Sequence, residues 1–490
     1  MRLRPRRPRR HQLEADACAQ ALVDALGPDK VKLGGASRYL AARDASVYRD
    51  GAAGPLCYPE SADDVATCVR IAAEHGRAVV PRGAGTGLAG GTVPLGNPVV
   101  VATTRMNRIL EVDVDDAVAW VEPGVINLDL TRHLQPLGYH FAPDPSSQQV
   151  CTIGGNVANN SGGPHCLAYG VTSAHVVALD VVLPSGDQVR LGGVEPRTPG
   201  YDLRGAFVGS EGLLGIATRV AVRITPNPPA VATLLLSFAD VNDAAATVGA
   251  IIADGMVPAA LEMMDKRIIE AVEAHVHAGY PLDAAAVLLV EVDGLAGGVA
   301  ADAARIGELG RAHGATNVRE AADEAERALL WKGRKGAFGA IAVIEPDYYL
   351  HDTVVPRRAL VDVLAQIYEI AERHDVIVLN VFHAGDGNLH PLLVFDGRVP
   401  GTMERVHAAG REIIEASLAA GGVLSGEHGI GVEKRDFMSL QFSDDDLDAQ
   451  ARLKAAFDPR CLANPGKVIP SSHSCADIQS LRRVPDGVWG

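Results

Sequence analysis

Apolar positions recur along this chain at two different spacings, and the places where one gives way to the other mark out its organisation. Residues 12–26 are Ala-rich and read as a helix. Ser61 with Asp64 three positions on has the form of a helix cap; the helix stops at Gly76, and residues 77–81 (Arg-Ala-Val-Val-Pro) read as a strand leading into a glycine-rich loop. Between 98 and 225 short Val/Ile strands, such as 118–122 and 176–183, alternate with Gly, Pro and Asn turns. Pro226-Asn-Pro-Pro229 then places a domain boundary. Beyond it, strands at 234–238, 260–264 and 286–292 alternate with an Ala-rich helix to Gly255 and a helix through 311. Two β-α-β units in succession predict an antiparallel sheet with helices on one face, a ferredoxin-like arrangement. Further on, residues 376–382 and 389–395 read as strands joined through Asp386-Gly387, a two-residue hairpin turn, because Gly takes positive φ freely and Asp tolerates it. There is no solenoid-type repeat.

Size and charge narrow the class. At 490 residues the chain has room for two to four domains. A net charge of −15 argues against a nucleic-acid partner and against general attraction to anionic membrane. The first ten residues, with six arginines and no acid, are the exception and read as a disordered tail; the last 20 read as a second, loose one. No secretory h-region and no window of eighteen apolar residues is present, so a membrane-spanning segment is not expected. The seven cysteines are scattered without a C-x-x-C pair, which fits structural thiols in a reducing cytoplasm and excludes an iron–sulfur cluster on this chain.

The loop at 81–94 contains a formal G-x-G-x-x-G at Gly85, Gly87 and Gly90, but it leads into Val93-Pro-Leu-Gly-Asn-Pro98, which cannot begin the helix that a Rossmann site requires. What remains is a run of unhindered N–H groups able to nest phosphate oxygens. Two further small-residue segments, 144–163 and 209–216, also permit close backbone approach, and three such stretches suit a dinucleotide. In the hairpin, a two-residue turn sets His383 directly opposite His390, with Cβ atoms about 5 Å apart, close enough to grip one divalent ion with Glu427 as third ligand. A glycine-rich turn carrying two surface histidines is the alternative, and spacing leaves both open.

The three glycine segments, followed by Leu330-Trp-Lys-Gly-Arg-Lys335, His383-Ala-Gly-Asp-Gly-Asn-Leu-His390, Gly426-Glu-His-Gly429 and Asn464-Pro-Gly-Lys467, resemble flavoproteins of the vanillyl-alcohol-oxidase type. The continuation is similar to the flavin subunits of glycolate oxidases and to D-lactate and D-2-hydroxyglutarate dehydrogenases, over residues 30–468. The resemblance implies an α+β fold: a basic tail (1–20), a two-subdomain FAD-binding domain (21–228), a ferredoxin-like α+β cap with a C-terminal helical segment returning to the FAD (229–468), and a loose tail (469–490). It implies FAD pyrophosphate on Arg82, Gly83, Ala84, Gly85, Thr86, Gly87 and Leu88. Further FAD contacts would come from Ser146, Ser147, Thr152, Gly154, Gly155, Asn156, Asn159, Gly162, Gly163, Glu211, Gly212, Gly215, Ile216 and Asn464. It makes His383, His390 and Glu427 ligands of a divalent metal, His428 the active-site base and Arg334 the substrate-carboxylate clamp. Two departures matter. The glycine loop has no histidine, so FAD is expected to be non-covalent, and Leu350-His351-Asp352 stands in the region where the 2-hydroxyglutarate enzymes carry a lysine just before a strand aspartate.

The expected activity is therefore FAD-dependent oxidation of a small 2-hydroxy acid, of the glycolate or D-lactate class, to its 2-oxo acid by a cytoplasmic protein. The metal stays open among Zn, Mn and Fe. Electrons would pass to an iron–sulfur partner subunit, through which the chain could sit at a membrane surface, or to a quinone or soluble carrier; a homodimer is also open. Rival readings are a D-2-hydroxyglutarate-type dehydrogenase, a non-catalytic FAD electron-transfer subunit and, at the far end, a metal-dependent hydrolase, which leaves the glycine segments unexplained.

Overall fold

Ser61 caps the helix Ala62–Glu74, its side chain accepting from the Asp64 amide at 3.1 Å, and the chain turns through Gly76 into the strand Val79–Arg82. The computed structural model describes residues 16–49, 51–195 and 199–470, so the arginine run and residues 471–490 lie outside it. Val79–Arg82 is the edge of a four-stranded sheet whose other strands, moving across it, are Val99–Ala102, Leu56–Cys57 and Val31–Lys32. The glycine loop leaves this edge, and residues 83–98 form no helix, as the Pro- and Gly-bearing sequence requires.

A second, five-stranded antiparallel sheet orders Ile109–Asp113, Val118–Val121, Ile216–Arg223, Val176–Val182 and Gln188–Gly192. The short helix Ile153–Asn159, capped by Thr152, buries Ile153 and Val157 in the core beneath this sheet and presents Gly155 to the cavity described below.

The third sheet has nine strands and contains the ferredoxin-like unit. In chain order its strands Ala230–Phe238, Ala260–Asp265, Ala286–Gly294 and Ala315–Glu320 lie in the spatial order fourth, first, third, second, all antiparallel. The strand Ile377–His383 adds beside Ala260–Asp265. Helices cover both faces, not one. Val241–Ala253, Ala296–Ala312, Leu360–Arg373 and Thr402–Ala419 pack on one side, Lys266–Val276 and Glu324–Ala340 on the other. The strands explain why: Ala260–Asp265 is buried at every position and Ala286–Gly294 at all but its last two, so each carries apolar residues on both faces. Leu288, fully buried, belongs to one core and Leu289 to the other.

The helix Asp444–Phe457 brings the chain back to the glycine loop. Lys454 donates to the carbonyls of Leu213 and Ala463 at 2.9 Å each, Asn464 to those of Gly91 and Glu211, and Lys467 to that of Val93. Among the described residues no helix is long and apolar enough to cross a membrane. Five cysteines are free thiols, but Cys461 is disulfide-bonded, against the expectation of thiols alone.

A buried polar clasp joins the N-terminal region to the cap. His165 bridges Asp144 at 2.9 Å and Glu291 at 3.2 Å; Glu291 also receives Arg327, Trp331 Nε1 and the Thr233 hydroxyl. Burial alone would lower the His165 pKa, but the two carboxylates outweigh it and push it up to about 10. The folded value therefore lies above the ordinary 6.5, so this contribution to stability is complete below pH 6.5 and is lost as pH rises towards 10. The unfolding midpoint is expected to fall between pH 7 and pH 10 in the native protein, and His165→Gln to flatten that fall; an unchanged slope in the variant would show that the clasp does not carry it. Leu288→Ala, which opens a cavity between close-packed layers, is expected to cost about 2–5 kcal/mol in a denaturant titration.

Candidate active site

The hairpin that carries the two histidines is built one step differently from its sequence signal. His383 pairs with Asn388, not with His390, and residues 384–387 form the loop. The two-residue turn would need positive φ at both Asp386 and Gly387, and only Gly387 (φ 72°) adopts it. With Asn380 facing Pro391, His390 lies diagonally across from His383 on the same face. Their rings are 5.0 Å apart and nearly perpendicular. Both are buried, at 4% and 2% exposure, so the reading as surface histidines does not hold.

Glu427 completes the group. Its Oε1 is 3.2 Å from His383 Nε2 and 3.6 Å from His390 Nε2, and one ligand atom from each of the three lies within 4.8 Å of the others. Among the described residues neither ring nitrogen of His390 makes a well-formed hydrogen bond; Nε2 has only the Asp352 and Glu427 carboxylates, at 3.4 and 3.6 Å, a strained state for a buried imidazole and one that a metal bond would relieve. The donor set, two imidazoles and a carboxylate, suits a divalent transition metal. Burial would raise the Glu427 pKa, but the histidines around it draw it down to about 2. A second convergent set, Asp352, His390 and His428, competes for the same imidazole. Its carboxylate, however, is already engaged by the Ser425 hydroxyl, the loop amides and Lys434, whereas the Glu427 carboxylate meets the histidines themselves.

Asp352 is what holds the segment 425–429 in place. Its carboxylate accepts from the Ser425 hydroxyl at 2.6 Å, the amides of Gly426 and His428 at 3.0 Å, and Lys434 at 3.3 Å. Glu427 and His428 are thereby both delivered to the site, with Gly429 rather than Gly426 taking the positive φ. The His428 ring stacks on His390 at 4.9 Å, with Nε2 3.9 Å from Glu427. Burial draws the His428 pKa down to about 4 against the pull of Asp352, so the ring is neutral near pH 7 and able to accept a proton.

Arg334 is not on the cavity wall. It is fully buried on the helix Glu324–Ala340 and ion-paired with Glu262, whose oxygens also lie 2.8 and 3.0 Å from His383 Nδ1. The cation that reaches the wall is its neighbour Lys335, 3.0 Å from Asp144. Helical geometry separates adjacent side chains by 100°, so only one of the pair can face the cavity.

That cavity, of about 610 Å³, is continuous from the glycine loop to the histidines. Arg82, Gly83, Ala84, Gly85, Thr86, Gly87, Leu88, Ser146, Ser147, Thr152, Gly155, Asn156 and Asn159 line it, together with Lys335, His390, Glu427 and His428. Bare glycine backbone with Arg82 beside it fits a pyrophosphate. Gly154, Glu211, Gly212, Gly215 and Ile216 line a smaller, adjoining pocket that shares Arg82 and Gly83. Gly162, Gly163 and Asn464 line neither. Gly162 lies against Glu427 and Cys166, Gly163 against Asp144, and Asn464 ties the C-terminal segment to Gly91. Arg43, Asp44 and Tyr348 also line the cavity, although no motif marks them, as does Phe338.

Comparison with known proteins agrees with this architecture. Residues 55–192 match the family described as FAD binding domain, and 227–468 that described as FAD linked oxidases, C-terminal domain. The chain is 47% identical over 403 residues to glycolate oxidase subunit GlcD of Escherichia coli (strain K12), covering 82% of this chain and 81% of that one. It is 39% identical to glycolate oxidase subunit GlcD of Bacillus subtilis (strain 168), covering 92% and 96%, and 34% identical to D-lactate dehydrogenase of Anaerostipes hadrus, covering 83% and 88%. Among solved structures, p-cresol methylhydroxylase with substrate bound superposes with a TM-score of 0.80 at 17% identity over 93% of this chain and 97% of that one, a likeness of fold. With both family matches and relatives of this identity over most of its length, the chain belongs to the FAD-linked oxidases.

Proposed function

We propose that this protein oxidises a small 2-hydroxy acid to the 2-oxo acid on non-covalently held FAD, with a divalent ion on His383, His390 and Glu427. The observation that carries this reading is that one cavity has the glycine loop at one end and His390, Glu427 and His428 at the other. The names of the relatives, glycolate oxidase subunit and D-lactate dehydrogenase, point to the same substrate class.

Bound FAD supplies the hydride acceptor, and a bound divalent ion lowers the hydroxyl pKa and fixes its orientation. The protein's own residues do the rest. His428, neutral in its buried setting, takes the hydroxyl proton on its ring nitrogen, and Asp352 stabilises the imidazolium that results. Lys335, on the wall beside Asp144, is the cation placed to meet a substrate carboxylate, while Arg334 is taken up by Glu262 behind the wall. Leu350-His351-Asp352 lacks the lysine that the 2-hydroxyglutarate enzymes use in this region for a second carboxylate, which favours a monocarboxylic substrate. With no cluster-forming cysteine pattern on the chain, electrons leave through a separate acceptor, for which we propose an iron–sulfur partner subunit.

Purified protein is expected to be yellow, with flavin released by acid; a colourless protein that does not take up added FAD would sink the reading. Under anaerobic conditions glycolate or D-lactate is expected to bleach the flavin and D-2-hydroxyglutarate to leave it oxidised, followed by visible absorbance. His390→Ala is expected to lose bound metal, measured by elemental analysis, and nearly all turnover while keeping its flavin. His428→Ala is expected to lower kcat by about 10²–10⁴-fold at unchanged metal content.

A further inference from the structure

Ala260–Asp265 is a central strand, paired on one side with Ala286–Gly294 and on the other with Ile377–His383, and it is buried throughout. In its middle stands Glu262, fully sealed from solvent among Leu261, Met263 and Met264. A carboxylate at such a position is expensive to bury, and its surroundings show what it is set against. The sheet register places Glu262 directly opposite His383. Its two oxygens reach His383 Nδ1 at 2.8 and 3.0 Å, and the Arg334 guanidinium closes over it from the covering helix.

The ring of His383 has one nitrogen on each side of this arrangement. Nδ1 faces Glu262, while Nε2 faces Glu427 at 3.2 Å and belongs to the group that converges with His390. Glu262 therefore stands on the far side of the ring from that group and is not itself one of its ligands. A carboxylate accepting the Nδ1 proton fixes the tautomer, leaving the Nε2 lone pair free, and fixes the rotation of the ring about its bond to Cβ. Because Glu262 sits on a strand hydrogen-bonded on both sides, this support is rigid.

We propose that Glu262, its charge balanced by Arg334, is the positioning residue that sets the tautomer and orientation of His383 for metal binding. This rests on the reading of His383, His390 and Glu427 as metal ligands. The competing account is that Glu262 and Arg334 form an ion pair that serves the core alone, in which case a folded variant lacking the pair binds metal as the native protein does.

The test uses the full-length flavoprotein, stripped of metal and titrated with Mn²⁺ and Co²⁺ by calorimetry, with the Co²⁺ visible spectrum as a second readout and flavin absorbance as the check on folding. Glu262→Gln is expected to weaken both ions by about 10–100-fold and to change the Co²⁺ bands while flavin content stays at the native level. Glu262→Gln leaves Arg334 uncompensated in the core, so the double variant Glu262→Gln/Arg334→Met, with no buried charge left over, is measured beside it and is expected to show the same loss. Affinity within about threefold of native and unchanged Co²⁺ bands in the folded double variant would overturn the role of Glu262 while leaving the metal site standing. A native protein that binds neither ion would overturn both readings.

Discussion

The carboxylate of Asp352, sealed from solvent, accepts hydrogen bonds from the Ser425 hydroxyl, the amides of Gly426, Glu427 and His428, the Asn388 side chain and the Lys434 ammonium. Segment 425–429 has no ladder or helix of its own to satisfy those amides. One buried acid takes the place of secondary structure, and it does so from the cap sheet, next to the hairpin. Burial would raise the Asp352 pKa, but Lys434 and the histidines hold it well below the usual carboxylate range, so it stays an acceptor at any pH at which the protein works. The consequence reaches the chemistry. Glu427 and His428 are neighbours in the chain, and in a strand they would face opposite ways; wrapped around Asp352, both enter the same site.

The same segment is held from its other side by the FAD-binding region. Glu211, at φ 50°, accepts from the amides of Ile430 and Gly431 at 2.6 and 2.8 Å. Burial raises the pKa of Glu211 to about 7, offset in part by those amides. Its expected part as a cofactor contact is thus joined by a mechanical one: it links the cofactor's domain to the loop that carries the proposed base. Asp144 and His165 make a comparable link, with Lys335 and Glu291 answering from the cap. Residues of both regions line the cavity, so its shape depends on how the domains dock as much as on either alone.

The local signals were legible wherever a residue's own conformational preference decides the outcome. Ser61 caps its helix, the glycine loop refuses one, and the strands near 234, 260 and 286 and the helices ending near 255 and 311 fall where the apolar runs put them, whereas the helix Lys266–Val276 was not read from them. The hairpin shows where such signals stop. Asp386-Gly387 marks a turn but cannot say that only one of the two residues takes positive φ, and that choice moves His390 from opposite His383 to a diagonal position. Arg334 shows a second kind of limit. Its motif was visible, but whether it or Lys335 reaches the cavity depends on how the helix Glu324–Ala340 is rolled against the sheet, and the buried Glu262 that receives it gave no signal beyond one charge in an apolar strand.

By itself, then, the chain's sequence determined the elements, the two kinds of domain, the absence of a Rossmann turn and the residue types that meet in the site. These follow from φ preferences, periodicity and short-range capping, which act within a few residues. Tertiary structure alone decided which atoms face each other: the diagonal histidines, the carboxylate of Glu262 behind one of them, Asp352 gathering the loop, and the second covered face of the cap sheet. Those are contacts between segments some forty to more than two hundred residues apart, set by sheet register and by the need to pair every buried charge and amide, and no local preference encodes them.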